Sequence, residues 1–371
     1  MVISRGALAL LAGLALLGMA AVEAFPVRAR GQDYDRRLEA AELARKAMRA
    51  VRAERLKRGH TFNPAEDPAE SGLIGPAVSP VTTKAGYLPA KQTSINPNFA
   101  AVVLDLLDQA GLEEGDAVAV AYSGSFPAIN ICVLAAIETA KARPIVISSA
   151  SASQWGANMP DMLWIDMENM LHRQGILQTR SVAASLGGHE DRGLGMSDEG
   201  RRLVMAGIER NRLRFLDVKS FEDGVEQRMA LYREQAGSDP IKVFINVGGG
   251  TIATGPRASR TLIKPGLNLP HSRRREDADG VMIRFLADGV PVIHLARIQD
   301  MADRYGLPQS PPKLPEAGQG VLFTVEDYNR WLALGVLAAL LFILIAVLRI
   351  DRGVRALRDR STEPEVPEPL V

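Results

Sequence analysis

A single cysteine, Cys132, stands in a chain of 371 residues, which excludes an intramolecular disulfide but leaves the compartment open, because many exported proteins carry none. The five histidines (His60, His172, His189, His271 and His294) show no paired spacing, so no metal centre is expected. Net charge is almost absent, with 44 basic against 43 acidic side chains, and no global field selects a partner. Aromatics make up 5% of the chain and are not interleaved with basic residues, which argues against nucleic acid. Dinucleotide and nucleotide fingerprints are missing too: GGGT at 248–251 is not G-x-G-x-x-G, and no P-loop lysine follows it. No cofactor is expected.

What the chain has is long apolar runs at both ends. Gly6 to Val22 and Trp331 to Leu348 carry no charge. Eighteen helical residues reach about 27 Å, close to the hydrocarbon thickness of a bilayer. Trp331 and Arg349 flank the second run as interfacial anchors. The first reads equally as a signal-anchor or as a cleaved signal peptide, with Val22-Glu23-Ala24 as the cleavage site. Arg349, Arg352, Arg355, Arg358 and Arg360 follow the second run, which places the C-terminus in the cytoplasm and the middle of the chain outside it. Arg28, Arg30, Arg36 and Arg37 after the first run argue the other way, from a smaller imbalance. The acidic, proline-rich end STEPEVPEPLV reads as disordered.

The resulting organisation is an anchor or signal peptide at 1–25, an amphipathic helix at 26–60, an extended wrap at 61–95, an α/β domain at 96–312, a linker at 313–330, a transmembrane helix at 331–350 and a tail at 351–371. Within 36–58, Leu38, Ala41, Ala44, Met48 and Val51 recur at helical spacing. Asn96 reads as an N-cap and Pro97 as the first residue of a helix ending at Gly111. Strands are expected at 116–123, 143–149, 181–185, 215–218, 242–247 and 290–295, with helices between them. The alternation implies an α/β fold, a mostly parallel, Rossmann-like sheet with helices on both faces.

In such sheets ligands bind beyond the carboxyl ends of strands. Four strands end in small, glycine-rich turns. AYSGSFPAIN offers Ser123, Gly124, Ser125 and Asn130; SSASQWGAN offers Ser151; SLGGHEDRGLG offers Gly187 and Gly188; FINVGGGTIATG offers Asn246, Gly248, Gly249, Gly250 and Thr251. Glycines let N–H groups approach a ligand, and helix N-termini favour anions, so the set suits a carboxylate or phosphate. A plain turn is the simpler reading of any one of them. Ser123 or Ser125 is a candidate nucleophile at a strand–turn–helix elbow, although Ala121 breaks the G-x-S-x-G spacing, and His189 with Glu190 and Asp191 is a candidate base. The turn GGTIA resembles the threonine-nucleophile turn of asparaginase-type amidohydrolases, with Thr251 in that place, but no second threonine–aspartate motif accompanies it. Beyond the last turn, Arg257, Arg260, Lys264, Arg273, Arg274 and Arg275 form either a solvated loop or a polyanion track. Asp161, Asp166 and Glu168 read as a solvated helix face.

The phrases GDAVAVAYSGSFPAIN, VISSASASQWGAN followed by PDMLWIDME, RSVAASLGGHEDRGLG and FINVGGGT resemble the bacterial poly-γ-glutamate system protein family over roughly residues 75 to 255. The resemblance implies an inner-membrane component of poly-γ-glutamate biosynthesis and export, working beside the other subunits of the synthase. It implies a pathway and no catalytic residues. Its function is then to bind the polymer or a glutamyl end, to act on γ-glutamyl amide bonds as a hydrolase or transferase, or to scaffold the synthase without catalysis.

Overall fold

The computed structural model describes residues 5–31, 33–270 and 278–361. Along the chain run α1 (Arg5–Ala24), β1 (Val27–Arg30), α2 (Tyr34–Lys57), α3 (Leu88–Ser94), α4 (Phe99–Gln109), β2 (Ala117–Ser123), α5 (Pro127–Thr139) and β3 (Arg143–Ser149). Then come β4 (Asn158–Met159), β5 (Met162–Leu163), α6 (Trp164–Arg173), β6 (Ala183–Ser185), α7 (Asp198–Arg210), β7 (Arg214–Phe215), α8 (Phe221–Ala236) and β8 (Ile241–Val247). The remainder is α9 (Thr251–Thr254), α10 (Arg257–Arg260), β9 (Gly266–Asn268), α11 (Val281–Ala287), β10 (Val292–Leu295), α12 (Ile298–Arg304), β11 (Thr324–Asp327) and α13 (Arg330–Ser361).

These elements form two compact units, one from the chain ends (Met1–Gly31 with Thr324–Val371) and one from Gln32–Phe323. In the terminal unit β1 pairs antiparallel with β11, Val27 opposite Asp327. That register sets the end of α1 beside the start of α13, and the two helices pack side by side, with Gly18 so close to Val336 that a Cβ there would collide with the valine. Both are long and apolar enough to cross a membrane. α13 continues as helix through the arginine-rich segment to Ser361, while residues 362–371 lie outside the described residues.

In the larger unit seven strands form one sheet in the order β7-β6-β3-β2-β8-β10-β9. All pairs are parallel except the edge pair β10–β9. β2 is central because it is apolar on both sides: Val118, Val120 and Tyr122 enter one core, and Ala117, Ala119 and Ala121 enter the other. The first core is roofed by α2, α4, α5 and α6. α5 is apolar all round and accordingly buried from Pro127 to Ile137, between the sheet and α2 and α4. α2 contributes Ala40, Ala44, Ala47, Met48 and Val51 to this core. The second core is roofed by α8 and α11, where Phe244 stacks on Phe285 at 4.6 Å and Tyr232 meets both edge-on.

Several sequence expectations need correcting. Asn96 does not open the fourth helix: its Oδ1 accepts from the N–H and side chain of Asn98, which holds a turn and delays the helix to Phe99. The stretch 61–95 is more than a wrap, since it forms α3 and buries Leu73, Ile74 and Val81. Asp166 and Glu168 are not on a solvated face. Asp166 accepts from the Leu163 N–H at the start of α6 and from Arg210 and Asn211. Glu168 is 1% exposed and accepts from Tyr122 Oη at 2.8 Å and from the Ser181 N–H and Oγ. Burial holds its carboxyl above the usual range, although these donors oppose the shift.

Candidate functional site

Strand order defines where a ligand can sit. From β2 the chain builds outward through β3, β6 and β7, then returns to β2 and builds the opposite way through β8 and β10. The topological switch point therefore lies between β2 and β8, and the crevice beyond their carboxyl ends is the expected binding place. The first and fourth glycine-rich turns flank it.

The four turns meet. Gly124 N–H donates to the carbonyls of Ser149 and Ser151, and Ala157 N–H donates to Gly124 O at 2.7 Å, which joins the first turn to the second. Gly156 must be glycine there, because a Cβ would lie 2.6 Å from Gly124 O and 2.9 Å from Ser125 Cα. The second turn is joined to the third by Ala150 N–H to Ser185 O and Ser151 N–H to Leu186 O. Gly187, in the left-handed region, brings its backbone against the Ser151 hydroxyl. Gly248 of the fourth turn faces the Phe126 ring of the first. Asn130 Nδ2 donates to Ser123 O at 2.8 Å, while its Oδ1 and the Ser151 Oγ are buried and have no hydrogen-bond partner among the described residues. α5 has no side-chain cap, and because its first residue, Pro127, carries no N–H, the donors of its first turn are the N–H groups of Ala128 and Ile129.

Beneath the turns is a cavity of about 20 Å3 lined by Tyr122, Ser123, Ser149, Asn246 and Gly250 together with Asp191 and Arg228. That volume suits one water molecule, not a ligand of glutamyl size. Asp191 and Arg228 form an ion pair there with side chains 7% and 3% exposed. Ser149 Oγ donates to Asp191 at 2.6 Å and Arg228 donates to Ser185 Oγ at 2.9 Å. The pair thus ties β3, β6, the third turn and α8 together. On the other side of the cavity Asn246 Nδ2 donates to Gly248 O at 2.8 Å and lies 3.1 Å from His294 Nδ1. Burial lowers the His294 pKa to about 4, against a hydrogen bond to the Asn246 backbone, so the ring is neutral, and with Asn246 Nδ2 as the donor the tautomer that leaves Nδ1 as acceptor fits.

Two lysines from the preceding segment reach the same edge. Lys84 Nζ lies 3.4 Å from Gly249 O. Although the residue as a whole is exposed, loss of hydration and nearby Arg260 lower its pKa. Lys91, on α3, is 3% exposed. Its Nζ donates to Ser125 O and to Ser153 Oγ and lies 3.9 Å from the centre of the Phe126 ring. Burial, and secondarily Lys84, lower its pKa to about 7, and among the described residues no carboxylate offsets either effect.

The proposed catalytic constellations are not assembled. Ser123 Oγ accepts from Ser125 N–H at 3.3 Å, and Ser125 Oγ accepts from Ser153 N–H at 3.1 Å. Among the described residues no histidine is hydrogen-bonded to Ser123, Ser125 or Thr251. The His189 side chain is 64% exposed, and its nearest acid is Glu190 at 3.7 Å. Thr251 opens the four-residue α9. Gly188 lies in the third turn, against the backbone of Leu194. In the basic segment Arg257, Arg260 and Lys264 are exposed, with Arg260 Nε bonded to Gly255 O. Arg273, Arg274 and Arg275 lie outside the described residues. Among the described residues no group of three His, Cys, Asp or Glu side chains is placed to hold a metal ion.

Sequence reasoning did not select Lys84, Lys91, Ser153, Arg228 or His294 as contributors. For Arg228 a signal existed: Val225, Met229 and Tyr232 mark the buried stripe of α8, and Arg228 falls within it. The lysines carry none, because their segment has no periodicity. Comparison with protein-family models, curated proteins and solved structures finds no match for this chain.

Proposed function

We propose that this chain is a membrane-anchored accessory component of a poly-γ-glutamate synthesis and export system, and that the switch-point edge binds a carboxylate of the polymer or of a glutamyl end. One observation carries the binding part. Lys84 Nζ reaches the Gly249 carbonyl of the GGG turn and Lys91 Nζ the Ser125 carbonyl of the SGS turn, and among the described residues no carboxylate offsets the lowering of either pKa. An amine at a sheet edge that no described carboxylate offsets favours an anionic ligand, which forms a charge-assisted hydrogen bond with it. In this reading the Ala128 and Ile129 N–H groups, in the first turn of α5, add directional donors for its oxygens. The pathway part rests on the sequence phrases that resemble the poly-γ-glutamate family, which themselves form these turns.

The membrane part rests on the two apolar helices. The β1–β11 ribbon brings α1 and α13 antiparallel, which sets both chain ends on one membrane face if both helices span it. The basic residues of the α13 extension assign that face to the cytoplasm. This arrangement favours retention of α1 as an anchor.

Binding is tested with the full chain in neutral-lipid nanodiscs, titrated with a γ-linked glutamyl oligomer. Lys84→Gln is expected to weaken binding about tenfold at low salt and to flatten its salt dependence, as loss of one charge-assisted contact requires. Equal affinity and equal salt slope would remove Lys84 from the site. Absence of binding by the unmodified chain would favour the scaffold reading.

A further inference from the structure

We propose that Ser153 and Lys91 form a serine–lysine dyad that carries out acyl transfer on an amide or ester whose neighbouring carboxylate occupies the switch-point edge. The substrate class rests on the binding reading above; the dyad does not. Ser153 Oγ and Lys91 Nζ are 2.9 Å apart, and both residues are buried, at 4% and 3% exposure. Their geometry is fixed from several directions. Ser125 O accepts from the amine, and the Phe126 ring lies beneath it. Ser153 N–H donates to Ser125 Oγ, which pins the serine backbone to the first turn. Ser153 also lies in the second turn, between Thr83, which bonds Ala152 O, and the Gln154 N–H bonded to Lys84 O, so the lysine-bearing segment frames it.

A lysine serves as general base only when its neutral form is populated, and here burial supplies that condition. With the amine held at about 7, roughly half is neutral at neutral pH. Lys84 is the one charged group acting on it among the described residues, and its effect has the same sign. Neutral Lys91 can donate to Ser125 O while its lone pair accepts the Ser153 hydroxyl proton.

The chemistry balances with water as the only co-reactant. As Ser153 Oγ bonds to the carbonyl carbon, its proton passes to Lys91 Nζ, and the carbonyl π pair moves onto oxygen. The N–H groups of Ala128 and Ile129, in the first turn of the helix whose N-cap is Phe126, are the donors assigned to that oxyanion in this proposal. When the tetrahedral intermediate collapses, the C–N or C–O bond breaks and the Lys91 ammonium protonates the leaving group. Water then attacks the Ser153 ester, with its proton taken by Lys91 and returned to Ser153 Oγ. The products are a carboxylic acid and an amine or alcohol.

The experiment uses the full chain in detergent and a fluorophosphonate probe, with adducts mapped by peptide mass spectrometry. This probe carries no carboxylate, so its outcome is independent of the anion site. The expected result is an adduct on Ser153 whose rate of formation rises with pH, with a midpoint near 7. Lys91→Arg keeps a charged donor at this position but cannot deprotonate, and should slow labelling about 100-fold or more. Circular dichroism and thermal melting test whether this variant is folded, and only a folded variant is scored. Unlabelled Ser153 in the folded wild-type chain, or an unchanged rate in folded Lys91→Arg, would overturn the dyad.

Discussion

Replacing Arg228 with methionine is expected to destabilise the α/β unit by about 3–5 kcal/mol. The substitution removes the guanidinium but leaves Asp191 in place, 7% exposed and without its ion-pair partner. Ser149 Oγ supplies one hydrogen bond to that carboxylate, which is not enough to replace water and a cation. Damage should spread to the candidate site, because Asp191 sits in the third turn with a left-handed backbone, φ 57°, that its contacts must hold. The double variant Arg228→Met, Asp191→Asn removes both charges while keeping a side chain that tolerates this backbone. It should recover most of the loss, since exchanging a whole buried pair costs far less than breaking one. Chemical denaturation of the chain in detergent measures both. A loss below about 1 kcal/mol in the single variant would contradict this role, as would a double variant no better than the single.

The second large effect is a pH dependence centred on His294. Its folded pKa of about 4 lies below the ordinary value of 6.5 because burial disfavours the imidazolium. Between those values the unfolded chain binds a proton that the folded chain does not, so stability falls as pH is lowered from 6.5 towards 4 and is unaffected above 6.5. The depression of the folded pKa corresponds to about 3 kcal/mol at full development. His294→Gln keeps an acceptor for Asn246 Nδ2 and cannot charge. The stability difference between wild type and variant should therefore change by about 3 kcal/mol between pH 7 and pH 4. Carboxylates titrate in both proteins and cancel in the difference. Parallel curves would show that His294 is hydrated in the folded state.

The sheet was legible in the sequence where a segment's own residues decide its structure. β2 and β8 are apolar runs long enough only for strands, and α7 begins where Ser197 accepts from the Gly200 N–H. The four turns were legible because glycine and serine follow each strand directly. That they meet follows from parallel pairing, which puts all their carboxyl ends on one edge. The contributions from Lys84 and Lys91 were not legible. Both lie more than thirty residues before the first turn, Lys84 in a segment without periodicity and Lys91 on α3, a seven-residue helix containing Pro89 that no periodicity announces. Glu168 was misjudged for a related reason. A carboxylate reads as surface until its partners, Tyr122 and Ser181, are brought to it by the fold. Likewise β9 is three residues long and owes its strand geometry to pairing with β10.

The central claim is that the switch-point edge is a carboxylate site. Determining the structure of the full chain with a γ-glutamyl dipeptide bound tests it most directly. The account predicts a ligand carboxylate between the start of α5 and the Gly248–Gly250 turn, within hydrogen-bonding distance of Lys84. A dipeptide bound elsewhere on the chain, or an empty crevice at saturating concentration, would contradict it.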